Sequence, residues 1–139
     1  MVNAPAGTIH ATTVAIRDRA VLIEGPSGAG KSDLALRLID RGAVLVSDDR
    51  TCLASEDGTL YAEAPATIAG RLEVRGVGIV DMASQGPLPV ALVVVLGEPE
   101  RLPELRTREF AGVAVPAVTI RPFEASAPIK VELALARIA

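Results

Sequence analysis

Eight consecutive residues, Gly25-Pro26-Ser27-Gly28-Ala29-Gly30-Lys31-Ser32, satisfy the pattern Gly-x-x-x-x-Gly-Lys-[Ser/Thr], and each fixed position has a chemical task. The glycines let the backbone wrap an anion, while successive N–H groups and the start of a helix supply positive potential. Lys31 reaches the β- and γ-phosphates of a nucleoside triphosphate, and Ser32 offers its hydroxyl to Mg²⁺. The chain has only two lysines, so a chance match is rare. ATP with Mg²⁺ is the expected ligand.

Other residues could act on that ligand. Asp48 and Asp49 close an apolar run; acids there either cap a turn or, after a phosphate-loop helix, hold Mg²⁺ and activate a nucleophile. Two adjacent carboxylates can divide those roles, because a nearby like charge raises one pKa and suits it to act as a base. Glu73 and Arg75 stand two apart on one face of a β-rich run, as a surface pair or as part of the site. Arg101, Arg106 and Arg108 sit in a polar stretch that reads either as solvated charge or as a lid over phosphate. His10, the single histidine, is either structural or catalytic. Cys52 reads as a small core residue.

The elements that must position these groups follow from the hydrophobic pattern. His10 to Ile16 and Arg19 to Glu24 form a β-hairpin about Arg17-Asp18. Paired positions then sum to 35, which sets His10 opposite Gly25, beside the phosphate loop. Leu34, Ala35, Leu38 and Ile39 repeat at helical spacing over Ser32 to Arg41, with Gly42 as the stop. Ala43 to Ser47 is a short buried strand, and Thr51 to Glu56 and Thr59 to Glu63 flank the hairpin signal Asp57-Gly58. Leu72 to Val80 is β-rich and broken by Gly76 and Gly78, the mark of a bulge, bend or close approach. Val90 to Leu96 is a buried strand, Arg101 to Gly112 a mobile excursion, and Val113 to Ile120 a strand. A closing helix follows, with Ser126 as N-cap and Ile129, Leu133 and Ala136 on one face.

The 139 residues suffice for one core, so residues 1–139 are expected to form a single α/β domain. A net charge of −3 with scattered acids and bases, and three aromatics in all, argue against nucleic acid or an anionic membrane as partner. No apolar run approaches the roughly 20 residues of a membrane span. A single cysteine and no leader pattern make a cytoplasmic address the expectation.

Taken together, Ile9-His10-Ala11, the loop Gly25 to Ser32, Arg41-Gly42, Val46-Ser47-Asp48-Asp49-Arg50 and the run Leu72 to Asp81 (Leu-Glu-Val-Arg-Gly-Val-Gly-Ile-Val-Asp) resemble the catalytic half of HPr kinase/phosphorylase. The resemblance covers nearly the whole chain, as in short proteobacterial forms. It implies a P-loop kinase domain related to phosphoenolpyruvate carboxykinase, a mixed sheet with flanking helices, assembled as a hexamer. It implies ATP- and Mg²⁺-dependent phosphorylation of a serine on the phosphocarrier protein HPr, and its removal by inorganic phosphate with release of pyrophosphate.

On that resemblance His10 is an active-site histidine, Lys31 and Ser32 are the phosphate and Mg²⁺ contacts, and Glu73 is a second metal contact. One of Asp48 and Asp49, with Asp49 favoured, is the base. Arg106 and Arg108 are both candidates for the family's catalytic arginine. Where the family carries a Pro-Gly-Arg-Asn-like loop tied to dephosphorylation, this chain has Arg121-Pro122-Phe123-Glu124-Ala125-Ser126. A bias toward kinase action is expected, with the Glu124 carboxylate repelling incoming phosphate. The alternatives are a small-molecule P-loop kinase and a non-catalytic ATP-sensing regulator.

Overall fold

The computed structural model describes residues 7–138. The chain runs β1 (Gly7–Ile9), β2 (Ala11–Ile16), β3 (Arg19–Glu24), α1 (Lys31–Asp40), β4 (Val44–Ser47), β5 (Thr51–Glu56), β6 (Thr59–Glu63), β7 (Arg71–Val74), β8 (Gly78–Asp81), β9 (Leu88–Leu96), β10 (Arg106–Phe110), β11 (Val113–Ile120) and α2 (Ala127–Ala136). Nine strands make one mixed sheet, ordered β1-β5-β6-β9-β3-β2-β4, with β11 also on β9 and β10 beyond it; β7 and β8 pair separately.

Both faces of the sheet are covered, which explains why the central strands are apolar at every position rather than at alternate ones. In β3, Val21 and Ile23 enter a cluster with Leu34, Ala35 and Leu38 of α1 and Val131 and Leu135 of α2. Their neighbours Ala20 and Leu22 face the other way, into a cluster with Leu53, Leu60, Val93 and Phe110. The β9 residues Leu92, Val94 and Leu96 join the helix side and Val93 the opposite one.

The β2–β3 hairpin has the expected register, from Ile16 opposite Arg19 to Ala11 opposite Glu24. Arg17 takes the positive φ (60°) that a two-residue turn demands. Asp57 and Gly58 turn the β5–β6 hairpin in the same way.

Five expectations fail, in whole or in part. Arg106–Phe110 is a strand paired with β11 through the turn Ala111-Gly112, both residues at positive φ, and not a mobile excursion. It is an edge strand whose outward charges hide the β pattern. The run Leu72 to Val80 is the β7–β8 hairpin, so Arg75 lies in its turn and does not share a strand face with Glu73. On α2 the buried stripe is Ala127, Val131 and Leu135, whereas Ile129 and Leu133 are 42% and 61% exposed and Ala136 is exposed. The helix is apolar on most sides, so periodicity alone chose the wrong face. Ser126 occupies the N-cap position without a side-chain capping bond. Cys52 is only partly buried.

Candidate active site

β3 and β4 are each antiparallel to β2, which lies between them, and are therefore parallel to one another; β9 is parallel to β3, and β11 to β9. The carboxyl ends of these four strands lie at one end of the sheet, where α/β proteins bind ligands. The phosphate loop follows β3, the aspartates follow β4, and Arg121 to Ser126 follows β11. Because β2 runs the opposite way, its first residues, with His10 just before them, enter the same end.

Gly28 and Gly30 have φ of 80° and 104°, left-handed backbone that glycine adopts without a Cβ penalty and that lets the loop curl. Lys31 is 5% exposed, and its Nζ donates to the carbonyls of Gly25 at 2.8 Å and Pro26 at 3.2 Å. Among the described residues no carboxylate pairs with it. A buried ammonium held only by neutral carbonyls, at the mouth of an N–H cradle, fits a polyanion.

The acids are held by a hydrogen-bonded network. The buried Asp48 accepts from Ser32 Oγ at 2.6 Å and Thr12 Oγ1 at 3.2 Å through Oδ1, and from the Glu73 N–H at 2.9 Å through Oδ2. Asp49 adopts φ of 66°, a left-handed conformation that Asp visits occasionally and at some cost. Its N–H donates to Thr12 Oγ1 at 3.0 Å, so one fully buried hydroxyl ties both aspartates. The left-handed turn sends the Asp49 carboxylate away from Asp48, to 53% exposure, with His10 Nδ1 at 3.7 Å.

These groups line a cleft of about 490 Å³ with the phosphate loop on one wall, Glu73 and Arg75 on another and Phe123 at its edge. That volume is in the range of small-ligand pockets. Among the described residues no three of His, Cys, Asp and Glu converge on a preformed metal cage. Mg²⁺ needs none, since it keeps waters and takes one or two carboxylates plus substrate phosphates. Ser32, Asp48 and Glu73 suit such an ion.

Of the residues singled out in the sequence, Ser27, Gly28, Gly30, Lys31, Ser32, Asp48, Asp49 and Glu73 share the cleft, and His10 joins it through Asp49. Arg106 and Arg108 do not. They border a separate cleft of about 780 Å³, Arg106 paired with Glu100 at 3.2 Å and Arg108 with Glu24, the residue before Gly25. Arg108 also lies over the Phe110 ring at 5.4 Å.

Glu124 does not face the phosphate loop as a bare charge. It binds Lys130 at 2.8 Å and Arg121 at 3.3 Å, and the Lys130 bond, ahead of that to Arg121, holds its carboxyl below the usual range. Arg121 likewise lowers Glu98 through a forked bond, and its own pKa is raised in return. The side chain this loop presents to the cleft is Phe123. Sequence reading missed Thr12, whose type is ordinary in a strand, and Phe123, which no motif marks.

The family model described as "HPr Serine kinase C-terminal domain" matches residues 3–86. The HPr kinase/phosphorylase of Lactobacillus johnsonii is 36% identical across 97% of this chain, which covers 45% of that protein. That of Clostridium botulinum (strain Eklund 17B / Type B) is 44% identical over 79 residues, 57% of this chain and 26% of the relative. The chain thus spans less than half the length of these curated relatives. A solved structure, "Structure of the Hpr(Ser) kinase/phosphatase from Coxiella burnetii", superposes with a TM-score of 0.80 at 33% identity, covering 94% of this chain and 93% of that one. The matched segment contains the phosphate loop, both aspartates and Glu73, the same residues that the fold gathers in one cleft, and the chain belongs to the HPr serine kinase C-terminal domain family.

Proposed function

We propose that this chain phosphorylates a serine of an HPr-type phosphocarrier protein with ATP and Mg²⁺, and that it removes that phosphate with inorganic phosphate, releasing pyrophosphate. The observation that carries this reading is the division of labour between the two aspartates. Asp48 is buried and spent on Ser32, Thr12 and the Glu73 N–H, while Asp49 is exposed beside His10 and open to an incoming hydroxyl. A buried acid holding the loop serine and an exposed acid one residue on suit the metal end and the nucleophile end of an in-line transfer.

Bound Mg²⁺ would neutralise phosphate charge between Ser32, Asp48 and Glu73. Lys31 turns from its loop carbonyls to the β- and γ-phosphates and stabilises the charge that develops there. Asp49, oriented by His10 and by its N–H bond to Thr12, takes the serine proton as the new Oγ–P bond forms and the bond to the leaving diphosphate breaks. In reverse, Asp49 returns the proton to the serine oxygen as a phosphate oxygen attacks. Arg108, tethered next to the loop through Glu24, is the better placed of the two candidate arginines to complete the site; Arg106 is the alternative.

The forward direction is expected to be the faster. That bias rests on the departure of residues 121–126 from the Pro-Gly-Arg-Asn-like loop of the family, since Glu124 is neutralised by its partners. Exposed Leu102, Leu105, Ile129 and Leu133 support assembly of several copies, a hexamer by family resemblance. We take residues 1–139 as one catalytic domain. No helix among the described residues is long and apolar enough to cross a membrane.

The test is mass spectrometry of HPr after incubation with the chain, ATP and Mg²⁺. A phosphoserine dependent on Lys31 supports the reading. ATP hydrolysis or small-molecule phosphorylation without it favours a small-molecule kinase, and ATP binding without turnover favours a sensor.

A further inference from the structure

The segment after β11 combines two properties that rarely occur together. It is firmly held, and it exposes a large apolar ring. Arg37 of α1 donates to the Pro122 carbonyl and, at 3.1 Å, to that of Glu124. Arg121 forks onto Glu98 at 2.6 and 2.8 Å, and Glu124 holds Lys130 at 2.8 Å. Phe123, between these anchors, is 69% exposed. It stands against the phosphate loop: a Cβ placed on Gly30 would meet its Cζ at 2.8 Å.

The chain has two phenylalanines, one tyrosine and no tryptophan. Phe110 is buried on the opposite face of the sheet and Tyr61 lies on β6, in a different pocket. Phe123 is therefore the one aromatic on the wall of the active-site cleft. We propose that Phe123 is the stacking platform for the nucleobase of the triphosphate donor, recognising a purine by its face.

The path of the ligand leads there. If Gly28 to Lys31 hold the β- and γ-phosphates, as the P-loop reading on which this inference rests requires, the nucleoside leaves the loop past the first turn of α1. Asp33 of that turn and Leu36 of the next border the cleft together with Phe123. Stacking is attractive for every base and grows with the ring's area, so this platform favours purines over pyrimidines. Among the described residues the cleft wall offers no Asn or Gln side chain, and Asp33, the carboxylate on this turn of α1, is held by Arg37 at 3.0 Å, so the stacking face itself draws no distinction between ATP and GTP. A platform whose flanking backbone is already anchored loses less freedom on binding than one on a free loop.

Dissociation constants of the full chain for Mg-ATP, Mg-GTP, Mg-CTP and inorganic triphosphate, measured by calorimetry for the parent, Phe123→Ala and Phe123→Tyr, test the proposal. The parent should bind ATP and GTP alike and both more tightly than CTP. Phe123→Ala should weaken ATP and GTP about tenfold, leave triphosphate within about twofold, and Phe123→Tyr should restore purine binding. Unchanged ATP affinity in Phe123→Ala overturns the platform while the P-loop reading stands. Equal loss of ATP and triphosphate overturns it too, making the ring a strut for Gly30 or a contact covered by a second copy of the chain. A parent that binds neither ATP nor triphosphate overturns both the platform and the P-loop reading.

Discussion

Thr12→Val removes one hydroxyl and leaves shape and β-propensity nearly unchanged, so its effect can be traced to two hydrogen bonds. The lost bonds are Thr12 Oγ1 to Asp48 at 3.2 Å and the Asp49 N–H to Thr12 Oγ1 at 3.0 Å, both at a side chain with no exposure. A bond to a charged group contributes about 1.5–3 kcal/mol, and an orphaned buried donor costs about 1–3 kcal/mol. Asp48 keeps Ser32 and the Glu73 N–H, and the Asp49 amide is near the surface, so the sum should fall near the lower end, about 2–3 kcal/mol. For a domain of this size that is a fall in Tm of roughly 6–10 °C.

The effect on turnover is separate from the effect on stability. With its N–H unanchored, the left-handed Asp49 relaxes toward an ordinary conformation and its carboxylate leaves the position beside His10. Misplacing a catalytic base by a fraction of an ångström to about an ångström lowers kcat on the order of 10²-fold, with little change in KM for ATP. Differential scanning fluorimetry and steady-state phosphorylation of HPr measure the two, and Thr12→Ser, which keeps the oxygen, should recover most of both. A Thr12→Val protein with parental Tm and kcat would refute the reasoning. One with lowered Tm but full kcat would reduce Thr12 to a structural residue.

Lys31→Ala should keep the fold and lower phosphoryl transfer by about 10³-fold or more; near-parental turnover removes the ammonium from the mechanism. Asp49→Asn should lose transfer while still binding nucleotide, and Asp48→Asn should weaken Mg²⁺-dependent binding as well; the opposite pattern would exchange their roles. Gly30→Ala meets both a φ of 104° and the Phe123 ring. The exposed ring can swing aside, so about 1–2 kcal/mol of backbone strain should remain, and a Phe123→Ala background that fully rescued Gly30→Ala in thermal denaturation would show sterics to dominate instead. Glu98 and Glu124 have pKa values below the ordinary 4.5, so the stability from their pairs with Arg121 and Lys130 is present above that value and lost as pH falls through the lowered ones. The small, salt-sensitive Tm difference between the parent and Arg121→Gln should shrink as pH falls below 4.5 and be gone once both carboxyls are protonated; a difference that does not shrink would detach it from these pairs.

The parts of the site that the sequence revealed are those in which chemistry depends on neighbours in the chain. A P-loop is eight consecutive residues, and a two-residue hairpin turn sets the register of everything before it, which is how His10 could be brought to this end of the sheet. Thr12 was invisible for the opposite reason, because its role depends on Asp48, 36 positions away. Edge strand β10 was concealed by Arg106, Arg108 and Glu109, whose charges protect an edge and at the same time erase hydrophobic alternation. On α2 the pattern failed through excess of apolar residues, since a helix that is apolar nearly all round offers periodicity no contrast.

The strand order explains why a threonine holds this position. A strand adds about 4.8 Å to a sheet, so the insertion of β2 between β3 and β4 places the phosphate loop and the aspartates roughly two such spacings apart. Two things close that gap. The helix after the loop carries Ser32 to Asp48, and β2 supplies a hydroxyl that both donates to Asp48 and accepts from the next amide. Only a group with donor and acceptor capacity can do both at once, and of the small side chains that have it, threonine also suits the interior of a strand. Because β2 is antiparallel to its neighbours, the same strand delivers His10 to the exposed acid two residues earlier. The hairpin that precedes the phosphate loop is thus part of the site, and on the proposed reading a chain without it would keep the loop Gly25 to Ser32 but lose the residues that orient Asp49.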